Sequence, residues 1–154
     1  MVTSATIPGT MIPSFRTASS TGQTLSLESF RDIVPVALLF IPDLTSQEGL
    51  GVVSELNSLH LEFGNLRSQV LVVVKETSRT VREFSDQQGL TLPILADASG
   101  SIIRSFEVDE GAGRARLSAV VADKHGSLVR RLDPLPTEGA ANALLDLMRQ
   151  ITAK

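Results

Sequence analysis

Four consecutive residues, Thr45-Ser46-Gln47-Glu48, place two hydroxyls and a carboxylate just before a run of apolar residues at helical spacing. Such a group could do two kinds of chemistry. A hydroxyl becomes an effective nucleophile only beside a base, and a carboxylate works as a general acid or base only within hydrogen-bond reach of the proton it moves. The two histidines, His60 and His125, stand far apart and belong to no nucleophile elbow or metal-binding pattern. His60 reads as a surface or half-buried residue and His125 as a turn residue. The structural reading of the tetrad is a T-x-x-E capping box: Thr45 accepts from the Glu48 amide, and Glu48 reaches back to the Thr45 amide. Ser46 could cap the helix in place of Thr45, or help free backbone amides bind a small anion.

The chain contains no cysteine. Disulfides, thiolate nucleophiles and cysteine metal sites are therefore excluded, and neither a cofactor nor a metal is expected. The formal net charge is -3, which does not suit a nucleic-acid or anionic-membrane binder. The pairs Arg114/Arg116 and Arg130/Arg131 read as solvated faces. The longest apolar run, Val34 to Ile41, is too short to cross a bilayer. The opening Met1 to Thr6 lacks a basic start and an apolar core, so a cytoplasmic location is expected. A length of 154 residues favours one domain, 1–154, with 1–12 as an irregular lead-in.

The elements that must position the tetrad follow from periodicity. Ser14 to Thr17 and Thr24 to Leu27 read as short extended pieces around a turn at Ser19 to Gln23, with a helical turn at Glu28 to Asp32. Val36 to Ile41 and Val70 to Val74 are apolar on both faces, as central strands covered by helices must be. Ser46 to Phe63 reads as one helix. Thr77 caps a helix that stops at Gly89. Leu92 to Leu95 is extended, Asp97 to Gly100 turns, and Ile102, Ile103 and Phe106 line a short helix. Gly111-Ala112-Gly113 is a flexible joint. Leu117 to Asp123 and Ser127 to Leu132 form a hairpin through Lys124-His125-Gly126. Thr137 caps a last helix carrying Leu144, Leu147, Met148 and Ile151. This order predicts an α/β fold with a mixed central sheet flanked by helices.

Several of these stretches resemble the peroxiredoxin family, also called the alkyl hydroperoxide reductase/thiol-specific antioxidant family. Gly9, Pro13 and Phe15 are similar to its G-x-x-x-P-x-F opening, and Gly22 with Leu25 to Phe30 to the G-x-x-h-S-L-x-x-F that follows. Pro35 to Pro42 resembles its P-V-V-L-x-F-x-P strand, Gly89 to Asp97 its G-L-x-F-P-L-L-S-D, and Asp123 with Gly126 its D-x-x-G hairpin. The resemblance spans residues 9 to about 132 and implies a thioredoxin-like fold and peroxide reduction by a cysteine in P-x-x-x-T-x-x-C. A gapless count from Pro42 sets Ser46 at the threonine and Gly49 at the cysteine. With one residue deleted, Thr45 and Glu48 take those places. The family's arginine, six residues before the hairpin aspartate, falls on Leu117, with Arg116 one residue off.

The vestigial site is thus Pro42, Thr45, Ser46, Glu48, Gly49 and Leu117, with no catalytic residue expected. The resemblance implies a cysteine-less pseudoenzyme that binds a protein or a small anion at the relic pocket. The alternative is a peroxide-related activity kept through a non-thiol group around Ser46 and Glu48. A homodimer is possible. It would use the loop face from Pro42 to Gly49, because Arg130 and Arg131 on the edge strand repel a second copy.

Overall fold

The first elements form a small hairpin, β1 (Arg16–Ala18) antiparallel to β2 (Thr24–Ser26), followed by a 3₁₀ turn at Leu27–Ser29. They belong to a computed structural model that describes residues 3–112 and 114–153. Gly113 of the expected glycine joint, like Met1 and Val2 of the lead-in, lies outside the described residues. The chain then enters β3 (Val36–Phe40) and continues through α1 (Gln47–Ser58), α2 (His60–Asn65), β4 (Gln69–Val74) and α3 (Ser78–Gln88). The second half comprises β5 (Ile94–Ala96), α4 (Ser101–Ser105), β6 (Ser118–Ala122), β7 (Leu128–Leu132) and α5 (Ala140–Thr152).

The main sheet has the order β5-β4-β3-β6-β7. β3, β4 and β5 run parallel, whereas β6 is antiparallel to β3 and β7 to β6. Successive residues of β3 point to opposite faces. Ala37 and Leu39 join the core under α1, α2 and α5, where Val53, Leu56, Phe63, Leu144 and Met148 pack. Val36, Leu38 and Phe40 join a second core with Ile12, Phe15, Leu27 and the α4 residue Ile103, with Phe106 just beyond that helix. Phe106 stacks obliquely on Phe40, ring centres 5.3 Å apart. Each such fully buried large side chain contributes about 1.5–3 kcal/mol relative to exposure. The two apolar layers account for a fold without disulfides. Among the described residues no helix is long and apolar enough to cross a membrane.

Some local signals act as expected. The Thr77 hydroxyl accepts from the Thr80 amide at 3.2 Å, and Gly89 closes α3 in the left-handed conformation. Others are corrected. The helix expected over Ser46 to Phe63 is two helices, interrupted at Leu59. Near the break, Asn57 Oδ1 accepts from the Thr91 amide, the Thr91 hydroxyl and the Leu92 amide at 2.8–3.2 Å, tying the end of α1 to the segment before β5. Thr137 does not cap the last helix. Helix α5 starts three residues later, and its N-cap is Gly139 in a left-handed conformation with no side-chain cap.

The lead-in is more ordered than its composition implies. Gly9 donates to the Leu128 carbonyl and Leu128 to the Thr10 carbonyl, and Ile12 donates to the Gly126 carbonyl, all at 2.8–2.9 Å. The start of β7, the sheet's edge strand, is therefore already hydrogen-bonded by the chain's own N-terminal segment. Ala5 and Ile12 of that segment are buried. A chain beginning at Pro13 should accordingly show a lower urea midpoint and, with the edge uncovered, concentration-dependent association in light scattering. An unchanged midpoint with a strictly monomeric species would contradict this account of the lead-in.

Candidate functional site

Strand β3 delivers the chain to Ile41, whose amide makes the last sheet bond to the Val73 carbonyl at 3.1 Å. Pro42 follows and cannot donate another. The loop then folds around Asp43. Its Oδ1 accepts from both the amide and the hydroxyl of Thr45, at 2.9 and 2.8 Å. These two bonds hold the Asp43 carboxyl below the usual carboxylate range, with the Thr45 hydroxyl the largest cause. Arg114 reaches across to Asp43 Oδ2 at 2.7 Å. The side chains of that pair are 53% and 31% exposed, so it is worth at most about 1 kcal/mol.

The helix cap is Ser46, not Thr45. The Ser46 Oγ accepts from the Gly49 amide at 3.2 Å. The expected reciprocal box between Thr45 and Glu48 does not form, because Asp43 has taken the Thr45 amide and hydroxyl for its own turn. Glu48 lies in the first turn of α1, exposed, where its charge favours the helix dipole. Gly49 is buried at the third helical position. A Cβ built there would lie 3.3 Å from Ile41 Cβ, Ile41 Cγ2 and Ser46 Oγ, so any side chain would have to push its neighbours aside.

Leu117 is half-buried and packs against the core on the α1 face, an apolar residue where the family pattern has a cation. The expectation that the four arginines form solvated faces is corrected for Arg116 and Arg131, while Arg114 stays on the surface with its side chain 53% exposed. Arg116 grips Asp133 with Nε at 3.0 Å and Nη2 at 2.7 Å, and also donates to the carbonyls of Asp109 and Glu107. Arg131, its side chain only 15% exposed, donates to the same carboxylate and to the carbonyls of Ala5, Phe106 and Glu107. Glu107 has a left-handed backbone, φ 56°, while its carbonyl accepts from both guanidiniums. Arg114 completes the set at Asp43. Arg116 is thus committed to Asp133, and its partners include nothing from the Pro42–Gly49 loop.

The loop therefore unites Pro42, Asp43, Thr45, Ser46, Glu48 and Gly49. The carboxylate that reaches a hydroxyl, Asp43 on Thr45, is held below the usual carboxylate range and is a correspondingly weak base, and Ser46 Oγ is engaged by the Gly49 amide. His60 Nδ1 sits 2.8 Å from the Thr91 hydroxyl, and burial lowers its pKa. His125 Nδ1 sits 3.0 Å from Asp32 at the opposite end of the sheet. Among the described residues no group of three or more His, Asp and Glu side chains converges as a metal site would require. Asp43 and Arg114 were missed from sequence. The D-x-T spacing after Pro42 could have pointed to the Asp43 turn, but nothing local points to its partner at residue 114.

The sequence model of the AhpC/TSA family matches residues 8–131. Among curated proteins there is no match. Peroxidoxin BcpB of Mycobacterium tuberculosis superposes with a TM-score of 0.84 at 21% identity, covering 94% of this chain and 97% of its own. A cysteine-to-serine mutant of Xylella fastidiosa PrxQ gives 0.84 at 17% identity, covering 94% and 96%. The reduced 2-Cys peroxiredoxin of Plasmodium vivax gives 0.85 at 16% identity, covering 96% and 83%. At these identities the likeness establishes a shared thioredoxin-like fold.

Two outcomes are expected from this geometry. Ser46→Ala should lower unfolding free energy by about 1 kcal/mol in urea denaturation, with Thr45→Ala costing clearly less. Equal losses would restore Thr45 as a cap. The second concerns Asp133, whose pKa is lowered first by the hydrogen bond from Arg116 and then by that from Arg131, against an opposing effect of burial. A carboxyl depressed in the folded state contributes stability above its unfolded pKa of about 3.9 and loses it as pH falls through the folded value. The drop in urea midpoint below about pH 4 should therefore be shallower in Asp133→Asn than in the parent. Parallel curves would exclude Asp133 as a contributor to acid sensitivity.

Proposed function

We propose, from the premise that the chain belongs to the AhpC/TSA family, that it keeps the family scaffold as a non-catalytic binding or interaction module. The observation that supports this reading most directly is Gly49. In the gapless register it stands at the cysteine position, and a Cβ there would press against Ile41 and the Ser46 hydroxyl at 3.3 Å, so both would have to give by a few tenths of an ångström. Peroxide reduction in such a scaffold needs a thiolate that attacks the O–O bond and becomes a sulfenic acid. Glycine offers no electron pair for that step, and neither register supplies a thiol.

The partner we favour at the loop face is a protein rather than a small anion. Asp43 and Glu48 bring negative charge to that face, and the nearest cation, Arg114, is already engaged by Asp43 and, at 3.4 Å, by Glu110. Any homodimer would use this face too, since the lead-in already bonds to part of the outer edge of β7. The reading includes a cytoplasmic location, where a domain of this size has to stand without disulfides.

The test is consumption of hydrogen peroxide and of an alkyl hydroperoxide by metal-stripped protein, with and without dithiothreitol. No turnover above a heat-inactivated control is expected. Turnover that disappears in Ser46→Ala or Glu48→Gln would overturn the proposal in favour of a non-thiol activity at the same loop.

A further inference from the structure

The larger of the two concavities described in this molecule is not at the relic loop. It opens at the other pole, where β3 and β4 begin and the β6–β7 hairpin turns, and has a volume of about 520 Å³. That lies within the range of small-molecule sites, about 300–1,000 Å³. Its apolar wall includes Ile33, Leu66, Val129 and Ile151. Ile33 is 66% exposed and Val129 37%, so two of the four exposed large apolar side chains among the described residues line this one concavity. Water-facing apolar surface gathered in a hollow marks a place where something apolar can be buried.

The rim carries Arg67 and Lys124. Among the described residues neither forms an ion pair. The carboxylates nearby are already engaged. Asp123 Oδ1 accepts from the His125 and Ser127 amides at 2.9 and 3.0 Å, and Asp32 Oδ1 lies 3.0 Å from His125 Nδ1.

A second observation concerns how Arg67 is placed. Helix α2 ends in a Schellman turn: Ser68 donates to the Phe63 carbonyl at 3.0 Å and Arg67 to that of Gly64 at 2.9 Å. The left-handed position of this turn usually belongs to glycine, yet Arg67 occupies it at φ 53°. Asp32, which faces His125 across the same pole, is also left-handed at φ 66°. Non-glycine residues in this conformation are strained and persist where the surroundings or the side chain's task require it.

We propose that this concavity binds a linear monocarboxylate, with its apolar chain over Ile33, Leu66, Val129 and Ile151 and its carboxylate between Arg67 and Lys124. Guanidinium and carboxylate match in shape and can share two parallel hydrogen bonds. A singly charged head suits the rim better than a phosphate, because the Asp32 and Asp123 carboxylates offset much of the positive charge. The site lies at the opposite end of the sheet from the relic loop and does not depend on what that loop does.

The experiment is a titration of ¹⁵N-labelled protein with octanoate, below its micellar range, followed by amide shifts. Acetate supplies the head without the chain, and 1-octanol the chain without the charge. Octanoate should shift the amides of Ile33, Arg67, Lys124 and Val129 saturably, acetate should not, and 1-octanol should bind more weakly. Arg67→Gly combined with Lys124→Gln should weaken octanoate binding by about tenfold or more. Arg67→Gly alone should be no less stable than the parent, since glycine accepts the left-handed position without strain. Shifts confined to other parts of the protein, equal binding of 1-octanol, or unchanged affinity in the double variant would each overturn the proposal.

Discussion

Strand β3 imposes the constraint on which the other elements depend. All five of its residues are buried, and it lies between β4 on one side and β6 on the other. Its amides and carbonyls have no access to water, so both neighbours must be in register before the strand is tolerable inside the protein. Its side chains then require cover on both faces, which the α1/α2/α5 layer and the α4/N-terminal layer provide. The point at which the chain leaves the sheet, between Ile41 and Pro42, is fixed by the same requirement. The loop that follows inherits its position from the sheet rather than creating it.

The strength of that constraint explains what could be read from sequence. Doubly apolar runs such as Val36 to Ile41 and Val70 to Val74 have few alternatives to a covered parallel strand. The hydroxyl of Thr77 and the glycine at Gly89 bound a helix by local geometry alone. Legibility failed where two local patterns competed or where a distant partner decided. Thr45 and Ser46 both fit a cap, and the choice fell to Ser46 because Asp43, two residues back, holds Thr45 in a different turn. Arg131 looked like a solvated edge residue, but carbonyls at Ala5, Phe106 and Glu107 claim it. No periodicity in the neighbourhood of residue 131 encodes those acceptors.

The candidate site divides along the same line. Its backbone course and the start of its helix were visible in the spacing after Pro42, whereas the choice of capping hydroxyl and the electrostatics were not. One carboxylate, Asp133, takes two guanidiniums, and another, Asp43, takes a third. Arg116 and Arg131 are thereby spent on internal architecture, and Arg114 on a surface pair. What remains at the loop is a capped helix start, an exposed Glu48, an apolar residue at Leu117 and a buried glycine, an arrangement that contains no thiol.

The bond from Arg131 to the Ala5 carbonyl spans 126 positions of chain. A ribosome adds about 5–20 residues per second, so the lead-in waits roughly 6–25 s after its own synthesis before its anchor exists. The edge strand it bonds to is made equally late. During that interval the Gly126 carbonyl that accepts from Ile12 and the Arg131 guanidinium that binds Ala5 are still to come, and the β1–β2 hairpin cannot dock on β5 until residues 94–96 follow. The N-terminal segment is therefore made well before the strand that secures it. The exposed nascent species is the one a chaperone or a protease would meet.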